Sequence, residues 1–322
     1  MYKKNDNMNA HAVLFEGPKN IKLSPLDMAD MVDGDIKIEV AYSGISTGTE
    51  RLLWDGSMPP FPGMGYPLVP GYETVGRVVK NHSNHAFKDG EFVFVPGAYS
   101  FKNVRNLFGG SGSQLVVPAE RVVRVADEHA KNATLLALAA TVYHSVSKGG
   151  AINPAQPPDL IVGHGIMGRL LARMTVAAGM KPPTVWEINP ARATGAQGYT
   201  VMDPREDTKK DYKAIYDVSG DSSLLNQLIG HLAPGGEVVL AGFYTQDLSF
   251  AFASAFMKEP QIRVSAQWKK CDLDAVSELM NTGRLSFDGL ITHDSAPAQA
   301  QSAYETAFCD PHCLKMILDW SN

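Results

Sequence analysis

Residues 159–168 read Asp-Leu-Ile-Val-Gly-His-Gly-Ile-Met-Gly: a strand, a glycine turn and the first turn of a helix. The last six, Gly163-His-Gly-Ile-Met-Gly168, fit the G-x-G-x-x-G pattern of dinucleotide sites. Gly163 permits the tight turn. Gly165 lets backbone approach a pyrophosphate with no Cβ between, and Gly168 lets helix and strand pack closely. His164, Ile166 and Met167 lie in the same turn, where free N–H groups and the positive end of the helix dipole meet phosphates. His164 belongs to this pyrophosphate loop rather than to acid–base chemistry. Glu187, after the next strand, is placed to accept hydrogen bonds from the adenosine ribose. A carboxylate there repels a 2′-phosphate, so NAD is favoured over NADP. Arg192 complicates this, since a guanidinium can pair with a phosphate, stack on adenine or contact the ribose. Gly220, after the strand at 214–218, is assigned to the same cofactor site.

Such a turn needs a parallel sheet behind it. A strand at 160–162 leads to a helix at 166–178, ended by Gly179. Strands at 184–186, 214–218 and 238–241 follow, with a helix at 222–232 and a sharp Pro234-Gly-Gly turn. Alternating strand and helix predicts a doubly wound, Rossmann-type domain. The first 130 residues differ. Short alternating segments at 36–40, 75–79, 91–95 and 114–117 are separated by Gly, Pro, Asn and Asp, which predicts a small barrel-like β domain. A helix is expected at 132–147. Late in the chain come helices at 273–281 and 298–307 and a strand at 315–318, expected to return to the first domain. The fold class is therefore α/β, with a catalytic domain at 1–132, a nucleotide-binding domain at 133–268 and a returning segment at 269–322.

Of 322 residues, 44% are hydrophobic and 20% charged, and the net charge is -5. No Lys/Arg stripe marks a nucleic-acid partner. The N-terminus is polar, without an apolar signal region, and the apolar run at 135–142 is too short to span a bilayer. We therefore expect no integral membrane segment and a cytoplasmic location. Three cysteines, Cys271, Cys309 and Cys313, argue against a disulfide framework and for a reducing compartment. Cys309-Asp-Pro-His-Cys313 invites a metal reading, but its proline breaks any helix that would align the side chains. A loop followed by a strand is the reading adopted, with no metal.

Three further segments carry a resemblance. Tyr42-Ser-Gly-Ile-Ser-Thr-Gly-Thr-Glu50 is similar to the segment that holds the first catalytic zinc cysteine of the medium-chain dehydrogenase/reductases, with Ser46 in the cysteine's place. Pro70-Gly-Tyr-Glu-Thr-Val-Gly76 resembles their G-H-E segment, with Tyr72 for the histidine and Glu73 kept. Leu138-Ala-Ala-Thr-Val-Tyr143 resembles the stretch beside the nicotinamide, with Ala137 at a third ligand position and Thr141 where a threonine touches the cofactor ring. The resemblance covers nearly the whole chain and implies a GroES-like catalytic domain. One carboxylate is not a zinc site, so it implies a zinc-free branch. The longer run Ser43-Gly-Ile-Ser-Thr-Gly-Thr-Glu-Arg-Leu-Leu-Trp54, with Gly63-Met-Gly-Tyr-Pro-Leu-Val-Pro-Gly-Tyr-Glu73, closely resembles the bacteriochlorophyllide a dehydrogenases. That implies NAD-linked oxidation of a 3-(1-hydroxyethyl) group to acetyl during bacteriochlorophyll synthesis.

Without a metal, the hydroxyl proton must leave through side chains. Ser46, Thr47 and Tyr72 are the candidates for contact with it. Tyr72 is either a proton acceptor, its ionised form favoured beside a cationic nicotinamide, or a structural residue filling the vacated histidine space. Glu73 orients a neighbour or holds a loop. His144 is either a second base or a core histidine. Trp54, Met58, Phe61, Met64 and Tyr66 form an aromatic, Met-rich loop that suits a flat macrocycle, or else a buried crossover or subunit contact. Arg51 or Arg105 can meet a propionate carboxylate. A homodimer is expected by analogy, and a greasy pigment invites contact with photosynthetic membranes. The competing functions are a zinc-free NADPH-dependent quinone or enoyl reductase and a non-catalytic nucleotide-binding protein.

Overall fold

The computed structural model describes residues 9–60, 62–148, 151–152, 156–265 and 267–321. Two units emerge: residues 1–136 with 288–322, and residues 137–287. The boundary lies at 136/137 and 287/288, not at 132/133 and 268/269. The helix Lys270–Asn281 therefore belongs with the nucleotide-binding unit rather than with the returning segment. Asp272 explains this: its carboxylate binds His144 Nδ1 at 2.8 Å and accepts from Ser147 Oγ at 3.1 Å, both in that unit.

The first unit is β-rich. Its spine is the strand Asp35–Ile45, which alternates so that Ile36, Ile38 and Val40 enter one core. It pairs antiparallel with Thr74–Asn81, with Gln114–Pro118 and with the returning strand Met316–Asp319. The last pairing sets Met316 opposite Ile45. Lys315 thus arrives where the spine ends and Ser46 begins. A four-stranded sheet includes the hairpin of Asn9–Gly17 with Asn20–Asp27, and the short strands Leu68–Val69 and Arg105–Asn106. Ile45, Leu53, Leu68, Tyr304 and Phe308 share a second core.

Among the described residues, the second unit is built on a sheet of six strands, all parallel, which taken in chain order within that sheet lie in the spatial order third, second, first, fourth, fifth, sixth. The first strand, Leu160–Val162, lies between Thr184–Trp186 and Tyr212–Asp217, and Val162 pairs with both Trp186 and Asp217. The loops beginning at Gly163, Glu187 and Val218 therefore leave one edge of the sheet together, where doubly wound sheets bind ligands. Two local expectations shift. The helix at 132–147 is a 3-10 turn, Asn132–Leu135, followed by the α-helix Leu136–Val146. Pro234 to Gly236 lie inside the strand Leu232–Leu240, whose pairing slips between Tyr212 and Ala214, with Gly235 at φ 71°.

Candidate active site

Ser46 leaves the end of the spine strand buried, and its carbonyl accepts the amide of Glu50 at the start of the helix Thr49–Asp55. Tyr72 is half-buried in the segment before Thr74–Asn81. The two hydroxyls meet: Ser46 Oγ lies 2.5 Å from Tyr72 Oη, and Tyr72 Oη reaches Thr49 Oγ1 at 3.4 Å. Phe108 meets the Tyr72 ring edge-on, with centroids 5.5 Å apart. Burial, followed by the Glu73 carboxylate, pushes the phenol well above its ordinary range. These surroundings act against a resident phenolate, so Tyr72 keeps its proton and works as a hydroxyl.

Behind these hydroxyls lies a buried charged group. Glu73 is fully buried and pairs with Lys315, itself 1% exposed. Lys315 Nζ also donates to Ile45 O at 2.8 Å. Burial pushes the Glu73 carboxyl up and Lys315 acts the other way. Glu50 is buried beside them, and its Oε2 accepts from Tyr304 Oη at 2.7 Å. Burial, and then repulsion from Glu73, raises Glu50 to about 8. Oε1 of each carboxylate lacks a partner among the described residues. One lysine stands beside two buried carboxyl groups, which favours the neutral form of Glu50.

In the second unit the glycine turn has the expected geometry. Gly163 sits at φ 101°, and a Cβ on Gly168 would collide with the Gly163 carbonyl. Arg169 N–H closes on Gly165 O at 3.0 Å. The amides ahead of it, of Ile166, Met167 and Gly168, face out of the helix start, which suits a pyrophosphate. Glu187 is fixed beside the turn: Oε2 accepts from His164 N–H at 3.0 Å and Oε1 from Asn189 N–H at 2.7 Å. His164 points inward. Its ring contacts Arg192 O at 2.6 Å and Tyr199 Oη at 2.8 Å, and burial pulls it down to about 4. It contributes backbone, not imidazole, to the turn. Arg192 is half-buried at the end of the 3-10 turn Pro190–Arg192. Gly220 sits at φ 73° in the loop after Asp217.

A scan against family models matches residues 32–127 to the alcohol dehydrogenase GroES-like domain. The chain is 54% identical to the 2-desacetyl-2-hydroxyethyl bacteriochlorophyllide A dehydrogenase of Rhodobacter capsulatus, over 98% of this chain and 99% of that one. The chain belongs to the medium-chain dehydrogenase/reductases. A second bacteriochlorophyllide A dehydrogenase, from Cereibacter sphaeroides, is 49% identical over 97% of this chain and 99% of its own. Among solved structures, the 2R,3R-butanediol dehydrogenase of Bacillus subtilis shares the fold at a TM-score of 0.81 and 20% identity, covering 96% of this chain and 99% of its own. With full-length relatives that are dehydrogenases acting on alcohol groups, the chain is an oxidoreductase of CH–OH groups that uses a nicotinamide cofactor.

At the positions where the resemblance would put zinc ligands, the side chains are otherwise engaged or carry no donor. Ser46 and Tyr72 bond each other, Ala137 has no donor, and the Glu73 carboxylate is engaged by Lys315. This donor set does not fit a catalytic zinc. The dinucleotide fits, because the Gly163–Gly168 cradle has no room for a Cβ at its tightest point.

The other predicted residues are scattered. Thr47 is exposed. His144 belongs to the second unit, where Asp272 holds its Nδ1, and the described contacts do not join it to Tyr72. Thr141 donates to Ala137 O at 2.9 Å within its own helix, leaving its lone pairs open. Trp54, Met58, Met64 and Tyr66 are half-buried, each with one side on the core of the first unit. Phe61 lies outside the described residues. Four residues were not anticipated: Thr49, Glu50, Tyr304 and Lys315. Lys315 left a trace, as a lone lysine leading an apolar strand.

Proposed function

We propose that this protein oxidises the 1-hydroxyethyl substituent of a bacteriochlorophyllide to acetyl, with NAD as acceptor and no zinc. The observation that carries the reading is the full-length 54% identity to a dehydrogenase named for that hydroxyethyl substrate. The hydroxyl pair at Ser46 and Tyr72 supports a metal-free route.

NAD, held by the Gly163–Gly168 turn and Glu187, would supply the acceptor for the hydride of the carbinol carbon. The rest falls to this chain. The carbinol hydroxyl proton passes to Tyr72, directly or through Ser46, as Tyr72 hands its own to Thr49 and the half-buried Thr49 releases its own to solvent water. No step needs a standing phenolate. The neutral Glu50 and the Glu73–Lys315 pair keep a net negative charge from building up behind Tyr72. The carbinol adjoins a conjugated macrocycle, which stabilises the forming carbonyl. Positioning and hydrogen bonds supply the remainder. Glu187, locked beside the glycine turn, favours a free 2′-hydroxyl and thus NAD. Trp54, Met58, Met64 and Tyr66 offer the pigment an apolar wall.

The reading places the protein in the cytoplasm at the margin of photosynthetic membranes, where a flat apolar pigment collects. No helix among the described residues is long and apolar enough to cross a membrane. Incubation with the hydroxyethyl pigment and either NAD or NADP tests the proposal. It expects the red-shifted band of the acetyl product with NAD, and at least about tenfold slower product formation with NADP. An absence of acetyl product with both cofactors would refute it.

A further inference from the structure

We infer that Arg105, with Asn103 beside it, forms a carboxylate subsite that binds the free propionate of the pigment. Arg105 opens the strand Arg105–Asn106, which runs parallel to Leu68–Val69, and its amide donates to Pro67 O at 2.9 Å. This clamps the residue beside Tyr66. A groove of about 310 Å³ is lined by Tyr66, Pro67, Asn103, Val104 and Arg105. Arg105 is exposed, and its guanidinium makes no hydrogen bond or ion pair with any described residue. Arg77 and Arg124, on the same unit, are each tied to a carboxylate. Asn103 adopts a left-handed turn at φ 61°, a conformation Asn tolerates, and lends the groove a second donor.

Among the described residues, no acidic side chain lines this groove. Its apolar side leads onto the pigment wall. Tyr66 donates its hydroxyl to Leu53 O, and its ring packs on the same core as Trp54, Met58, Met64 and Phe108. Phe108, three residues beyond Arg105, touches the Tyr72 ring. One short loop therefore runs from an exposed cation to a ring packed against Tyr72. A flat apolar acid suits this layout, with its ring on the wall and its carboxylate on the guanidinium fork. Arg51, on the helix Thr49–Asp55, is not among the residues that line this groove.

The assignment rests on the proposed tetrapyrrole substrate. It predicts that the protein discriminates the free acid from its propionate methyl ester. The probe is absorption titration of both pigments into the protein saturated with NADH, so that affinity is read without turnover. Wild type should bind the acid about tenfold tighter than the ester, an effect sized for an exposed but bidentate pair. Arg105→Met should weaken the acid about tenfold, leave the ester unmoved and so erase the discrimination. Arg105→Lys should restore part of it, and Arg51→Met should keep it. Equal affinity of wild type for acid and ester, including no measurable binding of either, would overturn the subsite. So would parallel weakening of both pigments by Arg105→Met, or loss of discrimination in Arg51→Met. Turnover of the two pigments with NAD is measured separately, and its failure would count against the proposed function alone.

Discussion

Around Gly163 the groups offered to a ligand are backbone amides, held by a single turn of consecutive residues. Around Ser46 they are the hydroxyls of Ser46, Thr49 and Tyr72, backed by buried side chains from distant stretches: Glu50, Glu73, Tyr304 and Lys315. At Gly168 the first region tolerates no added atom. The second tolerates changes of residue type provided that charge and hydrogen bonding stay balanced. A backbone site is fixed by sterics, whereas a buried polar cluster is fixed by its electrostatics.

The contrast can be broken by substitution. The largest effect is expected from Lys315→Met, which strands the Glu73 carboxylate in the core. We expect a loss of about 3–5 kcal/mol of stability, measured by urea unfolding, and substantial rescue by adding Glu73→Gln. Equal stability of wild type and Lys315→Met would show that the pair is not what holds the cluster. Next comes Gly168→Val. Its side chain cannot fit against the Gly163 carbonyl, so NADH affinity, followed by fluorescence, should fall at least about 100-fold. Retained affinity would remove the turn from the cofactor site. Tyr72→Phe should lower kcat about tenfold or more while leaving NADH affinity intact. Unchanged turnover would take Tyr72 out of the proton path.

The last comparison concerns pH. Glu50 has an ordinary value of 4.5 but is raised to about 8 in the fold. Between these values the unfolded chain has released the proton and the folded one has not. Wild-type stability should therefore decline as pH climbs from about 5 to about 8. Glu50→Gln keeps an acceptor for Tyr304 and has no proton to lose, so its stability curve should be flatter over that range. Parallel curves would mean that Glu50 does not carry the linkage.

The same contrast explains what could be read in the amino-acid sequence. The glycine turn, the strands on either side and Glu187 are local patterns, and they stand where their spacing placed them. The return of the last strand was also legible, because its apolar run needs a sheet to complete. Tyr72 and Ser46 stood out only because they depart from a resemblance. Their contact across 26 residues is a product of folding. Thr49, Glu50 and Tyr304 left no local trace, since a buried polar residue on a short helix looks like an exposed one. The unit boundary near Phe287 was hidden for a similar reason. It depends on Asp272 reaching His144, a pairing no periodicity reveals.

The central claim is that the carbinol proton leaves through hydroxyls, with no Lewis acid to help. The most direct measurement is the rate of NADH formation from the hydroxyethyl pigment, using protein dialysed against chelator and assayed for zinc. We predict full activity with far less than one zinc per chain, and no gain on adding zinc. Activity that vanishes on chelation and returns in proportion to zinc, up to one equivalent per chain, would contradict the account.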